Sequence, residues 1–203
     1  MADITVPTLP IVSSSFGLQF NTQTFTSPLS GVTQTKELTG AKWGASYNLS
    51  PMKQSSAKNI QAFLLKLRGG VNTFQAYDPD HKSPSGTANS SPGTPKVAGG
   101  SQTGNTLDID GCPTSETGWL LVGDYFTVNN EFKMITEDVD TNGSGEATLT
   151  FEPPLRNSPS DNADVEVSSP TCKMMLVDDN QSGWDSNQFG VYSFQINAIE
   201  KIE

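Results

Sequence analysis

The sequence predicts a mainly β protein: a β-sandwich with one flanking α-helix and an inserted small β-barrel-like domain. Three observations predict it. Apolar side chains recur at every second position in most of the patterned segments. A spacing of three to four residues appears only once. Finally, 18 Gly and 13 Pro with 17% charged residues in a 203-residue chain fit a turn-rich β protein better than a helical one.

The β pattern begins with Phe16, Leu18 and Phe20 alternating around Gly17 and Gln19. Residues 32–38 read as a second short and more polar strand, at an edge or facing a partner. Residues 42–48 place Trp43, Ala45 and Tyr47 on one face and Lys42, Ser46 and Asn48 on the other. The single helical period spans residues 55–67, with Ala57, Ile60, Phe63, Leu64 and Leu67 on one stripe and Lys58, Gln61 and Lys66 turned to water. Ser55 or Ser56 is expected to cap its start, and Gly69-Gly70 to supply the left-handed residue that stops it. A strand follows over residues 71–77, with Phe74 and Ala76 on one side, and Asp78-Pro79-Asp80 ends it.

Residues 80–105 are Ser, Pro, Gly, Thr and Asn with almost no large apolar side chain except Val97, the composition of a linker or long loop. The two-residue period then returns. Residues 125–128 and 131–135 flank Asn129-Asn130, a pair that tolerates positive φ and so predicts a tight hairpin. Residues 141–145, containing Asn142-Gly143, predict a second hairpin to the alternating Ala147, Leu149 and Phe151, and Pro153-Pro154 is expected to break that ladder. Tyr192, Phe194, Ile196 and Ala198 alternate near the C-terminus. Such a strand needs a sheet to join, and the first domain has several strands but a limited core. The predicted organisation is therefore a split domain, 1–90 with 174–203, interrupted by a barrel-like insert over 91–173.

Lys+Arg 12 against Asp+Glu 22 leaves a formal net charge of −10, a field that repels nucleic acid and anionic membrane. The start at Met1-Ala2-Asp3 shows no charged and apolar leader, and no run is long enough to span a bilayer, so a product made in the cytoplasm without export or membrane insertion is expected. Cys112 and Cys172 lack the spacing of a zinc site and read as free buried thiols. Because they flank the insert, a late disulfide between them is the alternative.

Candidate chemistry is sparse. Asp138, Asp140, Asn142 and Gly143 match the first six positions of a calcium loop, but its twelfth position is Leu149 and its flanks read as strands, so a turn explains it better. His81 sits in a polar turn with no nucleophile in a recognisable elbow. Asp108, Asp110, Glu116, Asp124 and Glu131 supply carboxylates, yet nothing in their spacing selects a catalytic pair. No phosphate-binding or dinucleotide fingerprint and no HExxH is present, and no cofactor or metal is expected. Trp43 and Trp119 belong to apolar strand patterns. Trp184, inside Asn180-Gln181-Ser182-Gly183-Trp184-Asp185, is the tryptophan in a polar loop, placed for an interface, a glycan contact, or folding back over a sheet edge.

Several blocks carry a resemblance: residues 20–29 (FNTQTFTSPL), residues 62–70 (AFLLKLRGG) with Asn72-Thr73-Phe74, Gly123-Asp124-Tyr125-Phe126, and residues 145–156 (GEATLTFEPPLR). Through them, over nearly its whole length, the chain resembles the distal tail proteins of long-tailed bacteriophages. The resemblance implies a virion protein that forms a ring, commonly hexameric, between the tail tube and the tip. Its partners would be copies of itself, the tube protein and the hub or tip proteins, and it implies no catalytic residues. Two other functions compete with it. One is a carbohydrate-binding module contacting the host surface, in which the insert holds saccharide and Trp184 contributes; the other is a cell-wall hydrolase using a carboxylate pair.

Overall fold

The structure is a computed structural model and describes residues 2–202. The chain divides into two compact units, Met1–Phe74 with Met174–Glu203, and Gln75–Lys173. In chain order the first segment gives β1 (Ile11–Thr26), β2 (Thr33–Leu49), β3 (Met52–Lys53), α1 (Gln54–Leu67) and β4 (Phe74–Ala76). The second unit supplies β5 (Lys96–Val97), β6 (Gly104–Asp110), β7 (Tyr125–Val128), β8 (Glu131–Ile135), β9 (Ala147–Leu155) and β10 (Val165–Glu166). The returning segment gives β11 (Cys172–Leu176), β12 (Asp185–Ser186), β13 (Val191–Ser193) and β14 (Gln195–Glu200). Among the described residues the fold is mainly β with one α-helix.

In the first unit the five-stranded sheet runs β1-β2-β14-β11-β4, and a small sheet runs β12-β13-β3. The C-terminal strand does join the N-terminal part of the chain: β14 lies antiparallel on β2, with Ala198 opposite Ala45 and Ile196 opposite Tyr47. Trp43, Ala45 and Tyr47 are buried as the alternation predicts, as are all five residues of the helical stripe. Phe63 meets Phe74 edge-on at 5.5 Å. α1 begins straight out of β3, so Lys53 takes the N-cap position without a side-chain cap and Ser55 and Ser56 fall inside the first turn, against expectation. At the other end Arg68 is already left-handed (φ 51°), one residue before Gly69, and its N–H bonds the carbonyl of Leu65.

The three short segments expected between residues 16 and 48 are two long strands. β1 has 16 residues and β2 has 17, paired from Ile11 opposite Leu49 out to Thr26 opposite Thr33. β14 covers only Gly44 to Asn48 of β2, so the far half of this hairpin runs on past the sheet as an arm.

The second unit is a nearly closed six-stranded barrel, β10-β7-β8-β9-β6-β5. Its ends are joined by bonds from Val97 N–H to Ala163 O (2.9 Å) and from Val165 N–H to Pro95 O (3.0 Å). Leu107, Ile109, Trp119, Phe126, Leu149 and Phe151 lead its core. Asn129 and Asn130 both take positive φ between β7 and β8, the tight hairpin that their sequence implies.

Three sequence expectations are refined in this unit. Of the linker or long loop expected over residues 80–105 the structure has mainly the loop, packed into the unit: Ala88 and Val97 are fully buried, Ala88 N–H donates to Trp119 O, and the unit starts at Gln75 instead of after residue 90. The segment packs through backbone hydrogen bonds more than through apolar bulk, so composition misses it. The second hairpin forms, with β8 antiparallel to β9, but its connection is longer than residues 141–145: residues 136–146 make a loop in which Val139 exchanges hydrogen bonds with the 119–120 backbone. Pro153 and Pro154 break the ladder as expected, although β9 itself continues to Leu155: the pairing with β8 stops at Glu152, and that with β6 jumps from Thr106 opposite Thr150 to Gly104 opposite Leu155. Pro154 O accepts instead from a side chain, Lys133 Nζ at 2.8 Å.

Candidate interaction surface

The arm is built by cross-strand pairing alone. Beyond Gln19 opposite Lys42 the register slips, and Gly40 sits at φ 101° where the ribbon restarts at Asn21 opposite Leu38. Directly opposed residues share a face. One face therefore carries Thr22, Thr24, Thr26, Thr33 and Thr35 with Glu37, and the other carries Asn21, Gln23, Phe25, Gln34, Lys36 and Leu38. Thr26 and Thr33 hydroxyls meet at 3.0 Å, and Asn21 Nδ2 donates to Thr39 O at 3.0 Å. The turn closes by Ser27 N–H to Val32 O (2.9 Å) and lifts Leu29 to 99% exposure. Phe20, Phe25, Val32 and Leu38 are exposed as well. Two strands with water on both faces have little to hold them, since an isolated hairpin is marginally stable.

A second apolar surface lies in the same unit, on residues 178–190. Asp178 Oδ1 accepts from Asn180 N–H (3.0 Å) and opens a single helical turn, Asp179–Ser182. Trp184 follows, 42% exposed, and β12 then pairs with β13 across a turn in which Asn187 Oδ1 accepts from Phe189 N–H and Val191 N–H. Phe189 stands 79% exposed at that turn. Between Asp178 and Val191 the sequence holds Asp178, Asp179 and Asp185 and no basic residue.

The remaining sequence candidates are absorbed by the fold. Trp43 and Trp119 are buried, Trp119 donating from Nε1 to Ser91 O at 3.3 Å. Asp124, 2% exposed, accepts from the N–H groups of Ser85 (2.7 Å), Leu121 (2.8 Å) and Gly86 (3.4 Å). Glu131 pairs with Lys133 at 2.7 Å and accepts from the N–H groups of Arg156 and Asn157, both at 3.0 Å. Asp108 is exposed and accepts from Thr148 Oγ1 at 2.6 Å, while Asp110 and Glu116 are half-buried on separate segments. Asp138 and Asp140 each accept a backbone N–H, from Val122 (2.9 Å) and Gly118 (2.7 Å), which spends on local structure the oxygens that a calcium loop would aim at the ion. His81 is exposed and edge-on to Tyr125 at 6.1 Å. Among the described residues no group of three His, Cys, Asp or Glu side chains is placed to hold a metal ion, and no helix is long and apolar enough to cross a membrane.

Cys112 and Cys172 are both buried thiols outside any disulfide, so the alternative of a bond between them does not occur. Burial first, and the nearby Asp110 carboxylate second, push the Cys112 thiol up from 9.0 to about 12. The raised value means that the protonated thiol is the form the fold accommodates. Its contribution to stability is intact below about pH 9 and is lost as pH climbs from there towards 12. At pH 8 the native chain is expected to resist alkylation by iodoacetamide at Cys112 while urea-unfolded chain reacts readily; rapid labelling of native protein, mapped to Cys112 by mass spectrometry, would contradict this burial.

Sequence reading placed residues 32–38 at an edge or facing a partner but missed the other half of the arm, the continuation of β1 to Thr26. The arm's signal was present, because Thr22, Thr24, Thr26, Thr33 and Thr35 keep the two-residue period after the apolar residues drop out. A scan against protein-family models and a search of curated proteins each found no match.

Proposed function

We propose that this chain is a structural virion protein of a bacteriophage tail tip, which associates with copies of itself into a ring joining the tail tube to the hub or tip. It would be made in the host cytoplasm and act in the particle, with the tube protein above and hub proteins below as its other partners. Its product is geometry, not a bond made or broken.

The arm carries this reading. A 16-residue strand and a 17-residue strand extend past their own sheet, expose Phe20, Phe25, Leu29, Val32 and Leu38, and place β1 at the edge of the five-stranded sheet. A solitary protein has reason to avoid such an element, since open strand edges and exposed aromatics invite association. The arm offers about twenty residues, the number that a standard interface takes from one partner. The resemblance at residues 20–29 falls on this arm, and that at 62–70 on α1, both in the first unit.

Sedimentation velocity of the full chain, with electron microscopy of purified particles, tests the proposal. A closed oligomer at micromolar concentration and a density for this chain between tube and tip are expected. A strict monomer absent from particles would refute it.

A further inference from the structure

Two apolar surfaces of the first unit, the arm and the Trp184 and Phe189 loop, lie at opposite ends of the same strand. Hydrogen bonds from Leu49 N–H to Phe194 O and the pairing of Tyr192 with Met52 hold the Trp184 and Phe189 loop at the Leu49 end of β2, whereas the arm's turn lies beyond Thr33. At roughly 3.3 Å per residue, the 17 residues of β2 separate them by on the order of 50 Å. An arm tip with Leu29 at 99% exposure and a loop with Phe189 at 79% are plainly not covering one another within one molecule.

We infer that the arm of one copy docks on the Trp184 and Phe189 loop of the next, so that association runs head to tail. The inference rests on the self-association proposed above and names its contact. The face of the arm that docks is the one bearing Phe25, Leu38 and Lys36, because its single cation meets a loop that carries Asp178, Asp179 and Asp185 and no base. The threonine face presents Glu37 and would set like charges together. The barrel unit is the poorer match. It holds 15 of the chain's 22 acidic residues, but among the described residues its one exposed large hydrophobic is Val122, so it offers charge without an apolar seat. A contact that pairs two different patches of the same chain is heterologous; it closes into a ring or extends into a filament, and does not stop at a two-fold dimer.

Sedimentation of full-length variants tests this contact. Trp184→Ala with Phe189→Ser is expected to weaken association about tenfold or more. Lys36→Glu should weaken it roughly three- to tenfold, more at low salt, and adding Asp185→Lys to Lys36→Glu should restore most of the loss. Glu37→Lys, on the opposite face, should change little. All these side chains are exposed, and unchanged circular dichroism will show that the fold is retained. If replacing residues 21–38 by Asn-Gly abolishes association while the loop variants and the charge swap leave it untouched, the docking site is wrong and self-association stands. If the unaltered chain never associates, the proposed function falls with it.

Discussion

Lys133→Ala will destabilise the barrel unit by about 3–5 kcal/mol, because it removes the cation from a buried carboxylate that stays behind. Lys133 is fully buried and Glu131 5% exposed, with Nζ 2.7 Å from Glu131 Oε2 and 2.8 Å from Pro154 O. The ammonium also lies 5.9 Å from the centre of the Phe151 ring. Alanine here leaves Glu131 with backbone donors from Arg156 and Asn157 but without its charge partner, and opens a cavity where the lysine stem ran. The double variant Glu131→Gln with Lys133→Met should recover most of the loss, since the glutamine oxygen still accepts a backbone N–H and the methionine fills the stem volume. Urea denaturation resolves the two cases. A cost under about 1 kcal/mol for Lys133→Ala would mean that water reaches Glu131 and that the pair is not a buried one.

Gly86→Ala is the second large effect, expected to cost about 3 kcal/mol and to lower the unit's melting temperature by roughly 10–20 °C. A methyl at residue 86 would stand 2.3 Å from Trp119 O and 2.5 Å from Gly118 O. Both are backbone atoms, so no rotamer change relieves the overlap; the loop must lift. Lifting it strains Thr87 N–H to Gly118 O and Ala88 N–H to Trp119 O, each 3.0 Å, and the N–H groups of Ser85 and Gly86 on the Asp124 carboxylate. Gly17→Ala is the matched control, because nothing lies within 4 Å of its added methyl. Equal melting temperatures for the two variants would contradict the close approach at Gly86.

These two sites also show where the sequence is legible and where it is not. The helix could be read because one stripe, Ala57, Ile60, Phe63, Leu64 and Leu67, does all the burying. The Asn129-Asn130 turn could be read because its residues tolerate a backbone that few others adopt. The return of β14 was legible because Phe194, Ile196 and Ala198 bury one face. By contrast, residues 84–89 are held by Asp124 and by carbonyls of a segment more than thirty positions later, and no local pattern announces partners so distant. Glu131 and Lys133 looked like two more surface charges among many, since composition does not say which carboxylate is inside. The β1 half of the arm escaped for the opposite reason. A strand that packs on nothing of its own has no need of an apolar face, so the periodicity that marks buried strands fades at Asn21 and the continuation to Thr26 goes unseen.

The interrupted first unit sets a timetable for synthesis. Trp43 N–H bonds the Glu200 carboxylate at 3.0 Å across 157 positions of chain, a distance that takes a ribosome roughly 10–30 s to cover. The barrel is emitted whole inside that interval and has all its own strands to fold with. Until the last segment emerges, the nascent β2 has an open flank over residues 44–48, which makes this waiting period the point at which a chaperone would be of most use.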